Sequence, residues 1–110
     1  MRTAAKVDGN HGEVVKALRS VGVAVKSLAS VGGGMPDLLC ALRGVTVLLE
    51  VKDGAKPPSE RRLTAAEAEF IGHWPGLVYV VASAEEAVAV VVEAARPAAH
   101  GASCACEVRT

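Results

Sequence analysis

Residues 32–52 read GGGMPDLLCALRGVTVLLEVK, and their reading decides the fold. Asp37, Arg43, Glu50 and Lys52 are the only charged residues of the stretch, and Arg43-Gly44 in its middle reads as a two-residue turn. A turn there folds the flanking apolar runs into an antiparallel hairpin. Leu42 then faces Val45, Ala41 faces Thr46 and, by the same count, Asp37 faces Glu50. Directly opposed positions lie about 5 Å apart at Cβ. Two negative charges at that separation repel by roughly 3 kcal/mol at an effective dielectric of about 20. Lys52 projects on the same side of its strand as Glu50 and supplies one positive group; a hard divalent cation would supply the rest. A bulge or an odd-numbered loop would put the carboxylates on opposite faces, so the register is decisive.

A chain of 110 residues supports one core, and it is small enough for dimerisation to help its stability. Aromatic residues make up only 3%, so the core must be built from Val, Leu, Ile and Ala. The composition is that of a cytosolic, hence cytoplasmic, globular domain. The formal net charge is zero, which argues against a generic polyanion binder and confines any nucleic-acid site to a local patch. Cys40, Cys104 and Cys106 are an odd and sparse set, with Cys40 in an expected buried strand, so no disulfide framework is expected. No apolar run is long enough for a membrane span, and no signal peptide or internal repeat is visible.

Residues 1–10 read as an N-terminal arm. A helix follows, opening near Asn10 or Gly12, with Val14, Val15, Ala17, Leu18 and Val21 at helical spacing and Gly22 as terminator. Glu13 in its first turn has a bland explanation, a carboxylate favoured by the helix dipole. Val23–Leu28 alternates as a first strand. The glycines at 32–34 lack the Gly-Lys-Ser/Thr ending of a phosphate-binding loop. Val45–Val51, apolar on both faces, is expected to be central, and Glu50 within it needs a partner, since a buried unpaired carboxylate is expensive. A structural ion pair with Lys52 is the plain alternative. The polar segment after Lys52 carries Lys56, Arg61 and Arg62 and is the most basic stretch of the chain. Thr64 with Glu67 three residues on reads as a capping box opening a helix to about Trp74. Leu77–Ala82 reads as a fourth strand buried on both faces, and Ser83 caps a last helix over Ala84–Ala95. Residues 97–110 read as a flexible tail. Its His100, Cys104 and Cys106 match no familiar zinc spacing.

A helix with Glu13, a glycine-rich turn into Pro36-Asp37, the Glu50-Val51-Lys52 triplet, a basic loop and a helix beginning Leu63-Thr64 together resemble the PD-(D/E)XK nucleases. Within that group the likeness, over roughly residues 8–90, is to the small stand-alone VRR-NUC domains, many of them phage-encoded. The resemblance implies an α/β fold with a mixed central sheet of about four strands flanked by helices. Its element order is αβββαβ(α), a restriction-endonuclease-like core, over a single domain at residues 11–96. It implies that Asp37, Glu50 and the Val51 carbonyl hold Mg²⁺ or Mn²⁺, that Glu13 reaches the same metal, or a second one, through water, and that Lys52 orients and helps deprotonate the attacking water. Lys56, Arg61 and Arg62 would hold the DNA backbone, a positioning role that reads no sequence. The family usually has Gln at the position of Glu67, which leaves Glu67 open between a site residue and the acid of a capping box.

The implied activity is hydrolysis of DNA phosphodiester bonds by a structure-selective endonuclease resembling Holliday-junction resolvases, acting as a homodimer. The alternatives are a nuclease for flaps or other branched or single-strand-containing DNA, and a noncatalytic DNA-binding or assembly domain that kept the fold.

Overall fold

The computed structural model describes residues 9–97. In chain order the elements are α1 (His11–Ser20), β1 (Ala24–Ser27), β2 (Leu38–Leu42), β3 (Val45–Val51), α2 (Ala65–His73), β4 (Val78–Val81) and α3 (Ala84–Ala94). The protein is α/β, with one mixed four-stranded sheet in the order β1-β2-β3-β4. The pairs β1/β2 and β2/β3 are antiparallel, and β4 joins β3 in parallel after the crossover through α2.

The hairpin has the register its sequence implies. Leu42 pairs with Val45, Ala41 with Thr46 and Leu38 with Leu49, with no bulge between them. Arg43 (φ 52°) and Gly44 (φ 81°) both occupy the left-handed region, which is what a tight hairpin turn matched to strand twist demands. Extended by one residue, the same register sets Asp37 opposite Glu50.

Period-two alternation then sorts the side chains. Leu38 and Cys40 of β2, and Val47, Leu49 and Val51 of β3, are buried with Val81 of β4. Helices α1 and α3 pack on each other and join the same core through Val14 and Leu18 and through Ala87 and Val91. Each helical pair is four residues apart and so falls on one helix face. On the opposite sheet face β3 still buries Leu48 and Glu50, each 3% exposed. This is the double burial expected of a central strand. The last strand differs from expectation: Val81 is buried, but Val80 is 41% exposed. Its β-branched run reads as a strand buried on both faces, yet β4 lies at the end of the sheet with β3 as its one neighbour.

Caps set the helix ends. In α2 Thr64 accepts from the Glu67 N–H while the Glu67 carboxylate accepts from the Thr64 N–H, the reciprocal capping box. Ser83 caps α3 by accepting from the Glu86 N–H at 3.0 Å. Gly22, at φ 92°, ends α1. Residues 1–8 of the expected arm and residues 98–110 of the expected tail, with His100, Cys104 and Cys106, lie outside the described residues. Among the described residues no helix is long and apolar enough to cross a membrane.

Candidate metal centre at the end of the central strand

Hydrogen-bonded and non-hydrogen-bonded pairs alternate along an antiparallel ladder. A two-residue turn makes Leu42/Val45 a hydrogen-bonded pair, so Asp37/Glu50 is a non-hydrogen-bonded one, in which side chains stand closest. The Leu28 N–H donates to the Asp37 carbonyl at 2.7 Å, which confirms that the Asp37 main chain is turned toward β1. The next position would be a hydrogen-bonded pair of Pro36 with Val51. Proline has no N–H to give, so that ladder bond to the Val51 carbonyl cannot form. The Val51 N–H is taken instead by Asp37, whose Oδ2 accepts it at 2.7 Å. Pro36 thus ends the ladder, fixes the Asp37 side chain against β3 and leaves a main-chain oxygen beside the carboxylates.

Glu50 is almost wholly buried, and its Oε1 has no hydrogen-bond partner. Burial first, then the negative charges of Asp37 and Glu67, push its carboxyl up to about 8, with Lys52 opposing. Asp37 is also raised, by burial, against the pull of the Val51 N–H, a hydrogen bond from Glu50 and the charge of His11. Glu50 is therefore the partner that keeps a shared proton, the behaviour of two like charges held together in a dry site.

Lys52 Nζ lies 2.9 Å from Glu67 Oε1 and 3.5 Å from Glu50 Oε2. Burial works against its charge, but the hydrogen bond and charge of Glu67, assisted by Glu50, outweigh it and hold the ammonium above its ordinary value. Glu67 shows the converse. Burial would raise it, yet Lys52 and the Thr64 N–H hold it down and keep it ionised. Glu67 thus closes the capping box and also binds Lys52, so the two sequence readings of this residue are compatible.

The glycine-rich turn forms the opposite wall. Gly32, Gly33 and Gly34 all have left-handed φ values. A Cβ on Gly34 would stand 2.4 Å from the Ala66 carbonyl oxygen, so only glycine lets this turn touch the first turn of α2. That contact fixes the start of α2 and sets Glu67 against Lys52. The turn, Asp37, Glu50, Val51, Lys52 and Glu67 line a cavity of about 140 Å³.

The fold does not bring every expected residue to this cavity. Glu13 is exposed and lines a separate cleft of about 320 Å³ with Asp53 and Glu85, at the start of α3. Lys56 and Arg62 are exposed on the loop between β3 and α2. Arg61 is half-buried there, its Nε donating to the Lys56 carbonyl at 2.8 Å. Asn10 has a part the sequence did not disclose. Its Nδ2 donates to the carbonyls of Lys52 and Ala82, each at 3.1 Å, tying the start of α1 to the ends of β3 and β4. His11, the next residue, is half-buried with no hydrogen-bond partner for Nδ1. Neither carries a local signal, since Asn10's partners are 42 and 72 residues away.

Comparison of the chain with protein-family models, curated proteins and solved structures returns no match. The donor set must speak for itself. Among the described residues no three His, Cys, Asp or Glu side chains converge to hold a metal ion. Asp37, Glu50 and the Val51 carbonyl are oxygen donors only, with an orphaned Glu50 Oε1. Such a set fits a small hard cation that keeps several of its waters, Mg²⁺ or Mn²⁺.

Proposed function

We propose that this protein is a metal-dependent DNA endonuclease with a restriction-endonuclease-like core of the PD-(D/E)XK type, selecting branched DNA of the Holliday-junction kind. The observation that carries the reading is the pairing of half-buried Asp37 with buried Glu50 beside the Val51 carbonyl. Glu50 Oε1 is unpartnered there, and Lys52 stands on the same face. A stability-driven core has no use for two opposed carboxyls that burial raises above their ordinary values, with the Asp37 charge raising Glu50 further, whereas a cation between them relieves both burial and repulsion.

Asp37, Glu50 and the Val51 carbonyl would hold Mg²⁺ or Mn²⁺. When bound, that ion neutralises charge at the phosphate and makes an attacking water more acidic. Lys52, kept cationic by Glu67, faces the phosphate and orients the water. The Gly32–Gly34 wall carries no side chains, which leaves room for a sugar-phosphate backbone. Lys56, Arg61 and Arg62, on the loop leading from Lys52 to α2, would neutralise flanking phosphates without reading bases. Cutting two strands of a junction symmetrically calls for two such sites, hence a homodimer, and the composition suits the cytoplasm.

The test is a cleavage panel of four-way junction, flap and linear duplex with Mg²⁺ or Mn²⁺. Preferential junction cleavage that Lys52→Ala abolishes is the expected result. Preferential cleavage of the flap would move the substrate within the enzyme reading. No cleavage by the natural sequence with either ion would favour a noncatalytic DNA-binding or assembly domain, in which Glu50, Lys52 and Glu67 are a structural ion-pair network.

A further inference from the structure

The two edges of the sheet differ in how they are guarded. An edge strand presents unpaired main-chain groups that invite a further strand, and charged side chains are a common guard. At β1 the Leu28 N–H donates to the Asp37 carbonyl, so alternation along the ladder turns the Val25 main chain outward. That outward carbonyl is taken: Arg19 Nη2 donates to it at 3.0 Å, and exposed Lys26 is the next residue of the strand. At β4 the Leu48 N–H donates to the Leu77 carbonyl and the Lys52 N–H to the Val81 carbonyl. In a parallel ladder Leu77, Tyr79 and Val81 therefore bond toward β3, and the N–H and carbonyl groups of Val78 and Val80 point to the open edge. Among the described residues nothing bonds to them. The guard begins only past the strand, where the Ala82 N–H donates to Glu86 Oε1 at 2.8 Å. Residues 74–82, WPGLVYVVA, carry no charge, and Trp74, Leu77 and Val80 are each 41% exposed.

We infer that a second copy of this chain pairs with the open edge, β4 against β4 in antiparallel register about a two-fold axis at Tyr79. Val78 of each copy then faces Val80 of the other, and four main-chain hydrogen bonds join them. Identical edges suit this pairing: their donors and acceptors are complementary under a two-fold axis, and with no charge on either they do not repel. A stable interface covers about 800 Å² per partner, more than a strand of 4 residues presents, so Trp74 and Leu77 beside it complete the contact. The choice of a second copy as the occupant rests on the reading of the chain as a nuclease that needs two sites. The axis stands perpendicular to the sheet, so both Asp37/Glu50 sites lie on one side of a continuous sheet. Glu50 is aligned with Val80 across β3 and β4, which sets the two Glu50 main chains about 16 Å apart by strand spacing and rise.

The test uses the full chain without DNA or metal ion. Analytical ultracentrifugation should show a dimer, and the Val78 and Val80 amides should exchange their hydrogens at least about tenfold more slowly in the dimer than in the diluted monomer. Val80→Pro removes an outward donor and leaves the bonds to β3 in place, since proline is accepted on an edge strand whose N–H faces solvent. It deletes two of the four bonds and should weaken dimerisation at least about tenfold. Val78→Pro, at the first position of the strand, should do the same and serves if Val80→Pro does not fold by circular dichroism. Val21→Ser, in the apolar groove between α1 and α3, should leave the dimer intact. A monomer, or a dimer whose Val78 and Val80 amides exchange freely, would overturn the inference, as would folded proline variants that dimerise unchanged. A monomer with both amides protected would overturn it too, since another part of the same chain would then close the edge. A dimer of this kind that cuts no DNA with Mg²⁺ or Mn²⁺ upholds the interface and overturns the nuclease reading alone; a monomer that cuts does the reverse.

Discussion

Lys52 is bound more closely to Glu67 than to Glu50, at 2.9 Å against 3.5 Å. The preference follows from the charges: Glu67 is held ionised, whereas Glu50 is pushed toward its neutral form. Gln at position 67 would keep an oxygen for the Thr64 N–H but no charge for Lys52. Glu67→Gln should therefore leave the α2 cap in place, lower the pKa of Lys52 and free the ammonium for phosphate. Cleavage should persist in Glu67→Gln, whereas Lys52→Ala should lose at least about a hundredfold, in line with loss of a group that stabilises transition-state charge. Single-turnover rates on a junction substrate check both.

The metal-free protein should lose stability as pH rises from about 4.5 toward about 8, because the Glu50 carboxyl is raised from the one value to the other on folding. A raised carboxyl holds its proton more tightly in the folded chain, so its contribution is present below the unfolded pKa and fades as pH passes through the folded one. Asp37 is raised too and acts in the same sense. Glu67 is lowered, so its contribution disappears only as pH falls below its ordinary value of 4.5, outside that window. The slope cannot exceed about 1.4 kcal/mol per pH unit for one group. Urea melts across this range should show the decline, Glu50→Gln should flatten it, and saturating Mn²⁺ should offset it, since metal binding displaces the proton.

The hairpin was legible because its information is local: a turn pair, an alternation and two carboxyls at countable positions. Arg43-Gly44 fixed the register, and the register set Asp37 opposite Glu50 and Val51 opposite Pro36. The capping box of Thr64 and Glu67 was legible for the same reason. What escaped depends on distance along the chain. That Glu67 would also bind Lys52 needed the Gly34 contact with Ala66, and that Asn10 would tie α1 to β3 and β4 needed the finished sheet. Glu13 lies in the first turn of α1, and only the docked helix decides that it opens onto the cleft with Asp53 and Glu85. The exposure of Val80 had the same cause, since a β-branched run does not declare whether its strand ends the sheet.

Asp37 has two jobs that substitution can separate. Its Oδ2 accepts the Val51 N–H, and its charge helps hold the cation. Asn keeps an acceptor and removes the charge; Ala removes both. Asp37→Asn should fold with stability near that of the natural sequence, or above it at pH 7, where relief of the raised carboxyl pair helps. It should no longer be stabilised by Mg²⁺ or Mn²⁺ through linkage. Asp37→Ala should in addition lose about 1–3 kcal/mol, the cost of leaving the Val51 N–H unpaired. Thermal melts of both variants with and without divalent ion distinguish the two roles.

Gly34 controls the site from outside the chemistry. Its φ is 85°, and a Cβ there would lie 2.4 Å from the Ala66 carbonyl oxygen and 2.6 Å from its carbon, both main-chain atoms that cannot rotate away. Alanine therefore meets two obstacles. The left-handed backbone costs about 1–2 kcal/mol, and relief of the clash must move the turn or the start of α2. The second carries Glu67 away from Lys52. Gly34→Ala should lower stability by at least about 1–2 kcal/mol and weaken the Lys52–Glu67 pair, read as a drop in the Lys52 pKa by NMR. Gly33→Ala, where a Cβ meets nothing within 4 Å, should have the backbone cost alone and leave that pKa unchanged. Equal effects of the two substitutions on Lys52 would show that the turn does not position Glu67 through Ala66.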